Sequence, residues 1–488
     1  MIAGKGKHFV YSWRCREEEP MDGISIKNDP VMNKRTSPLL LCMFLLLVQA
    51  VFVPLFAADT PKGTPVTLED AVRIGLEKSR TLAIARLDRD MASQKIRETW
   101  SQVLPQITTD FTYTRTLQPS VLLLPANPYF PSGRLEISAD NAAVANVNVS
   151  QPIFNLSALA GIRAANDVRR MSEEAYRNAE AGVVTDIKTA YFDALISKDQ
   201  LALIEQSIAR WEESRKDTMA MFRQGIAADI DTLQAFLSVE NLRPDLIQAQ
   251  NRVSITMTKL KNAMGISPDS SIVLTGKLEV LPSSYPSDIA TAYSEALESR
   301  PDLHQLEFQV RAEGEQVAAS RAEHFPVLSA FGRWETQTAF NDDTKLEDSL
   351  WPVSSSVGLK LSLPIFTGFR ISSKVQQAKI IQLQTRTRYE DMKANIRAET
   401  EIRLSNFRES RKRIEVQSKT ISVAERSYRI SLLRFREGIG SRLELTDAEL
   451  QLNKAKTNYL QAIYDYLVAS VLLDRSLGRT AAQVLRTK

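Results

Sequence analysis

"FRQGIAADIDTLQA" spans Phe222–Ala235, and "FREGIGSRLELTDA" spans Phe435–Ala448, 213 positions later. Each copy reads aromatic, Arg, polar residue, Gly, Ile, then a run with carboxylates, then Ala. One copy alone is an ordinary helix–turn–helix. Two copies are a statement about architecture, so other landmarks should recur in the same order at a similar spacing. They do. Ala71 and Ala292, Leu76 and Leu297, and Pro105 and Pro326 are each 221 apart. "SQPIF" ending at Phe154 meets "SLPIF" ending at Phe366, offset 212. Gly225 meets Gly438, and Gly265 meets Gly478, at offset 213. A repeat of this length is a fold-level signal. The chain of 488 residues therefore reads as one duplicated unit rather than several unrelated domains. Its halves are 58–266 and 288–478, with a linker at 267–287 and a tail at 479–488.

Both halves change period in the same order. Thr67–Leu104 is helical, with Leu68, Ala71, Val72 and Leu76 at three- and four-residue steps, and Pro105 ends it. Strands follow. Phe111 and Tyr113 alternate with Asp110, Thr112 and Thr114; Val147 and Val149 alternate with Asn146, Asn148 and Ser150. In the second half Val357, Leu359, Leu361 and Leu363 alternate with Gly358, Lys360 and Ser362. These are strands with one apolar and one polar face. Loops are expected at Pro125 in "PANPYFPSG" and at Phe340 in "FNDDTKLEDSLWP".

After each Pro-x-Phe a helix of about 70 residues is expected, roughly 100 Å at 1.5 Å per residue. Neither Leu156–Gln224 nor Gly368–Glu437 contains Pro. Ile414, Ile421, Tyr428 and Phe435 recur by sevens, as do Val416, Val423 and Ile430. At about 100° per residue these two seams lie on nearly opposite sides of one helix. A two-stranded coiled coil needs one seam; a stave in a wall of helices needs two. Leu201, Ile204, Ile208 and Trp211 form a similar seam in the first half. The quoted motifs end these helices. Gly225 and Gly438 suit the left-handed turn past a helix end, and Arg223 and Arg436 suit a helix C-terminus. Asp231 and Glu444 fall early in the return helix. There a carboxylate is favoured for structural reasons alone, so a cap and a functional site are both open at this point. Pro244 should kink the first return helix, whereas Thr457 leaves the second unkinked.

Leu39–Phe56 is apolar, follows Asn33-Lys34-Arg35 and precedes Ala57-Ala58. It reads as a secretory signal cleaved after Ala57, with residues 1–31 an upstream extension before Met32. Cys15 and Cys42 are the only cysteines; both fall ahead of that site, so neither a disulfide nor thiolate chemistry is expected. Beyond residue 57 the chain carries 55 basic and 53 acidic residues, which speaks against nucleic acid as a partner. Two strands per half make four. Four strands with apolar outer faces cannot close a barrel, so several chains must share one. Trp334, Trp351, Tyr129 and Phe130 are candidates for interfacial girdles.

Taken together, the Pro-Ile-Phe strand ends, the Phe-Arg-x-Gly-Ile tips and the terminal Met264-Gly265 and Leu477-Gly478 pairs resemble the TolC-type outer-membrane efflux proteins. The resemblance covers about Thr67 to Gly478. It implies a mainly α fold with a small β part: long coiled-coil staves of an α-helical barrel, plus a four-stranded contribution to a shared trimeric transmembrane β-barrel. It implies a homotrimer in the outer membrane, surrounded by its lipid and extending into the periplasm. The partners would be a periplasmic adaptor and an inner-membrane pump or ABC exporter. The function implied is a passive conduit of tripartite efflux or type I secretion, with an acidic periplasmic gate opened by adaptor docking. The family's gate carboxylates match Asp231, Glu444 and Asp447. Its tip aromatic matches Phe435, which lacks a hydroxyl. Its tip Arg falls at Gly440, leaving Arg442 as a substitute. Arg223, Gly225, Arg436 and Gly438 would form the helix-tip turns where the adaptor docks.

Two other classes compete with this reading. An enzyme would need chemistry that the sequence lacks. His304 and His324 are twenty positions apart on one expected helix, roughly 30 Å, and no His/Cys cluster, phosphate loop or nucleophile elbow appears. No cofactor or metal is expected. A periplasmic coiled-coil adaptor or scaffold would explain the heptads but not the duplicated alternating strands.

Overall fold

The structure, a computed structural model, describes residues 63–479 apart from 126–127, 130–133 and 281–284. The apolar segment Leu39–Phe56, the cleavage site after Ala57, the extension 1–31, Phe130 and residues 480–488 lie outside the described residues.

Along the chain, β1 (Thr64–Val66) leads into α1 (Leu68–Lys78) and α2 (Arg80–Ser101). Strands β2 (Gln106–Arg115), β3 (Val121–Leu123), β4 (Arg134–Glu136) and β5 (Asn141–Phe154) follow, then the 68-residue α3 (Leu156–Arg223). Helices α4 (Asp229–Glu240) and α5 (Arg243–Ala263) run back from its end. After β6 (Ile272–Leu274) the order repeats: α6 (Ile289–Ser299), α7 (Pro301–Ala322), β7 (Val327–Phe340), β8 (Val353–Ser362), the 67-residue α8 (Arg370–Arg436) and α9 (Arg442–Ser476).

The two halves open with matching caps. Thr67 Oγ1 accepts from the Asp70 amide and the Asp70 carboxylate accepts from the Thr67 amide. In the second half the Asp288 carboxylate accepts from the Thr291 amide. Such caps satisfy amide groups that the first turn leaves unpaired. The helix expected over Thr67–Leu104 is in fact two, broken at Ser79, and Arg300 breaks its counterpart. At Arg300 the cause is local, since Pro301 disfavours the α region for the residue before it. Both breaks also meet a glycine turn from the far end of the same half: a Cβ on Gly265, at φ +70°, would sit 2.4 Å from the Lys78 carbonyl oxygen, and one on Gly478, at φ +74°, would sit 2.6 Å from the Ser299 carbonyl carbon. The linker expected at 267–287 holds β6, which pairs in parallel with β1. Tyr191 of α3 fastens both, donating to the Val66 carbonyl and accepting from the Gly276 amide, each at 3.2 Å. The main core sits here, with Ile187, Tyr191, Leu260, Met264, Leu473 and Leu477 almost fully buried. Side chains of this size contribute about 1.5–3 kcal/mol each on burial.

The antiparallel sheet runs β2–β5–β7–β8. Its register puts Ile107, Val149, Gly332 and Val357 in one row. Trp334 shares that face, opposite Val147 and Ser355. Ile107, Phe111, Val357, Leu359 and Leu361 are exposed there, while Asp110, Asn146 and Glu335 line up on the other face. Tyr129 is exposed and Trp351 half-buried.

The helices form a second open layer. Nearer the sheet, α7 packs between α8 and α3, and α2 packs on the other side of α3. Nearer the tips the order is α8, α9, α3, then α4 and α5. Strand order and stave order therefore agree, because β2 continues from α2, β5 into α3, β7 from α7 and β8 into α8. The expected kink at Pro244 is a full break at Asn241–Leu242, with Pro244 in the first turn of α5, while α9 runs unbroken past Thr457. His324 lies just past the end of α7 rather than on it. Of the two seams on α8, Phe435 is buried, and Ile421 and Tyr428 pack on a cluster with Ala424, Leu452 and Ala455. Val416, Val423 and Ile430 are exposed on an edge of the wall.

Candidate functional site

The site is the end of the molecule farthest from the sheet, where α3 and α8 turn back. Gly225 and Gly438 both take φ +73°. Each turn closes with a long backward bond, from the Ile226 amide to the Met221 carbonyl at 2.9 Å and from the Ile439 amide to the Arg434 carbonyl at 3.0 Å. These are Schellman closures, and a residue with Cβ resists that φ. Neither Gly has an atom near its would-be Cβ, so the turns are exposed knuckles.

Asp231 caps α4, accepting from the Ala228 amide at 3.0 Å. It is also the charge that most offsets the downward pull of burial on the Arg442 guanidinium. Glu444 is exposed in the first turn of α9 and meets Arg434 at 3.2 Å. Asp447 is exposed three positions on, on the same side of the helix. Arg223 is exposed at the end of α3. Arg436 reaches across to α3, meeting Glu213 at 2.6 Å and Asp217 at 3.1 Å. These bonds, Glu213 first, hold its pKa above the ordinary Arg value.

Arg442 does not stand at the surface as a substitute latch. It is 5% exposed, stacked over Trp211 at 5.1 Å and Phe435 at 5.8 Å, and donates to the hydroxyls of Ser214 and Thr218. The cation beside Glu444 is Arg434. Gly440 is hemmed in, since a Cβ would lie 3.0 Å from the Arg434 and Phe435 backbone.

Two turns along α9 is a group that sequence reasoning missed. Glu449 is 2% exposed and accepts from Arg210 at 2.8 Å, Asn453 at 3.2 Å and Ser207 at 3.4 Å. Arg210 also donates to Asn453 Oδ1 at 2.8 Å. Its signal was present in the sequence: Leu445, Ala448, Leu452 and Ala455 make an apolar stripe, and Glu449 sits in it. Beside this group lies a cavity of about 400 Å³ bounded by α3, α5 and α9, with Ser207, Asp245, Arg252 and Asn453 on its wall. Among the described residues no group of His, Cys, Asp and Glu could hold a metal ion. No described helix is long and apolar enough to cross a membrane.

The sequence pattern of the family described as outer membrane efflux protein matches residues 72–266 and again 292–479. The chain is 23% identical over 425 residues to the probable efflux pump outer membrane protein TtgC of Pseudomonas putida, covering 84% of this chain and 82% of that one. It is 22% identical to the outer membrane protein TolC of Escherichia coli, covering 82% and 79%. The fold matches the CmeC outer membrane channel of Campylobacter jejuni with a TM-score of 0.69 at 18% identity, covering 84% and 85%. VceC of Vibrio cholerae matches with a TM-score of 0.68 at 16% identity, covering 84% and 96%. A family pattern found twice, in the halves that the repeat had marked, on a fold of strands continuing into staves, places this chain in the outer membrane efflux protein family, the TolC-type proteins of the cell outer membrane that extend into the periplasm.

Proposed function

We propose that three copies of the chain form a passive conduit from periplasm to exterior. The observation that carries this reading is the unfinished wall. The sheet ends in two open edges, β2 and β8. The stave layer ends in α8 on one side and α2, α4 and α5 on the other. Apolar side chains stand exposed on both sides: Val416, Val423 and Ile430 on α8, and Leu87, Leu233 and Ile247 opposite. Unlike edges that meet head to tail close into a ring. Two copies would make eight strands, whose interior side chains fill; three make twelve and leave a passage. The apolar sheet face then meets lipid and the polar face lines the lumen. The tips form the periplasmic gate, with Asp231, Glu444 and Asp447 repeated around the axis. Arg434 and Arg436 are the neighbouring cations. A periplasmic adaptor docks at the knuckles of Gly225 and Gly438 and favours the open state. An inner-membrane pump or ABC exporter supplies the cargo. Carboxylates in a narrow ring favour cations.

The test is reconstitution. The purified protein should run in detergent at three times the chain mass and give cation-selective currents in planar bilayers. Asp231→Ala and Glu444→Ala should change conductance or selectivity. A monomer without current would end the channel reading; unchanged currents in both variants would remove the gate carboxylates.

A further inference from the structure

The polar face of the sheet differs between its two halves. The offsets of the repeat, 221 before the outer loop and 212 after it, match Asp110 to Phe331 and Asn146 to Gly358. The strand register agrees, since Asp110 stands directly opposite Asn146 and Phe331 directly opposite Gly358. Thr112 and Asn148 match Arg333 and Lys360 by the same offsets. The first half is polar throughout, as a water-facing surface should be, and Asn148 donates to Asn146 Oδ1 at 2.7 Å. The second half sets an aromatic ring between two cations.

The Phe331 ring lies over Gly358 so closely that a Cβ there would sit 2.9 Å from its Cζ. A glycine in a strand leaves bare backbone that a ring can cover. Yet Phe331 stays 42% exposed, on the face that holds Glu335 and, through the register, Asn146 and Asp110. Covering Gly358 uses one side of the ring; the other side leaves apolar surface in water at a cost. Arg333 is taken up by Glu335 on its own strand. Lys360 is exposed and makes no ion pair among the described residues. It stands diagonally across from Phe331 on the same face, a spacing that aromatic and long side chains span. The patch therefore offers an open ring beside an uncommitted ammonium.

We propose that Phe331 and Lys360 form a binding subsite for aromatic organic anions in the wall of the conduit. The ligand's ring stacks on Phe331 and its carboxylate or sulfonate meets Lys360. Offset stacking and an exposed ion pair are each modest, so the contact is brief and suits a molecule in passage. The subsite rests on the channel reading above, in which the polar face lines the lumen. It differs from the tip carboxylates in lying in the sheet and in preferring the opposite charge.

The test uses the purified full chain in planar bilayers, with naphthalenesulfonate added to both sides. It should interrupt the single-channel current in brief blocks. Methanesulfonate, an anion without the ring, and naphthylmethylammonium, the ring with a cation, should give no blocks of comparable length. Phe331→Ser should shorten the blocks about fivefold, and Lys360→Ser about threefold. Asn148→Ser, at the matching place in the first half, should leave them unchanged. Lys360 is exposed, so its replacement leaves the sheet intact and keeps the test decisive if Phe331→Ser fails to fold. The proposal is overturned by blocks of full length in Lys360→Ser, or by equal blocks from naphthylmethylammonium. It is also overturned by a Phe331→Ser protein that loses resistance to heat but keeps the full block, which would make the ring a cover for Gly358 alone. No current from the unmodified protein would instead remove the channel reading itself, so the two failures are distinct.

Discussion

Glycines in this chain do two different jobs, and substitution separates them. Gly265 turns where a Cβ would strike the Lys78 carbonyl, whereas Gly225 turns in open space at nearly the same φ. Gly225→Ala should cost only the strain of positive φ, about 1 kcal/mol. Gly265→Ala adds a backbone clash and should cost on the order of 2 kcal/mol or more. Thermal unfolding of the two variants in detergent checks the order. Glu449 gives a second contrast. Glu449→Ala strands Arg210 against the α3–α9 seam and should destabilise by about 1–3 kcal/mol. Replacing both partners by Met should be neutral or stabilising, because a buried ion pair loses in desolvation much of what it gains in attraction. Equal losses in the two would instead show that the ion pair gains more in attraction than it loses in desolvation. At this scale the sequence spoke unevenly. The positive φ of Gly225 and Gly438 was legible from the motif, since a helix end followed by Gly-Ile has few other readings. The burial of Arg442 was not, because Trp211 and Phe435 come from two helices more than 200 positions apart.

Each long helix carries its packing instructions as spaced apolar residues. On α8 one spacing is used inside the subunit and the other, through Val416, Val423 and Ile430, faces outward. Changing the unused seam should break assembly without unfolding the chain. Val423→Asp with Val416→Asp should leave helical circular dichroism intact and shift the protein from oligomer to monomer in detergent. An oligomer that survives both charges would place the subunit contact elsewhere on the wall. The first return helix shows how local chemistry enters at this scale. Pro244 lacks an amide proton, and the chain answers with a break at Asn241–Leu242 while α9 stays whole. That difference was legible. The break at Ser79 was not, because no Pro follows it and Gly265, which packs against it, lies far away in the chain. Strand β6 was missed for a like reason: three residues carry no period, and parallel pairing with β1 is decided by where the core brings them.

Residues 63–479 make a piece of wall. Strand order and stave order run together, so the same two edges are unfinished at every height. A compact single chain would have buried Val357, Leu359 and Leu361 against something. Here they stay exposed on a face that also carries Phe111 and Ile107. In the proposed assembly, closure by other copies would satisfy the open strand edges and the apolar seams at once. The mass and conductance of the reconstituted protein test this at the scale where it applies.

The sequence by itself determined the periodic facts: two copies of one unit, alternating strands, staves with two seams, and turns at Gly225 and Gly438. These follow from rules that act over a few residues, namely side-chain direction, helix rise and the steric demand of a turn. Only the tertiary structure decided which seam is used within the subunit, that Arg442 is enclosed while Arg434 meets Glu444, and that Glu449 stands buried across from Arg210. Burial is a property of what lies opposite, and what lies opposite comes from the other half of the chain.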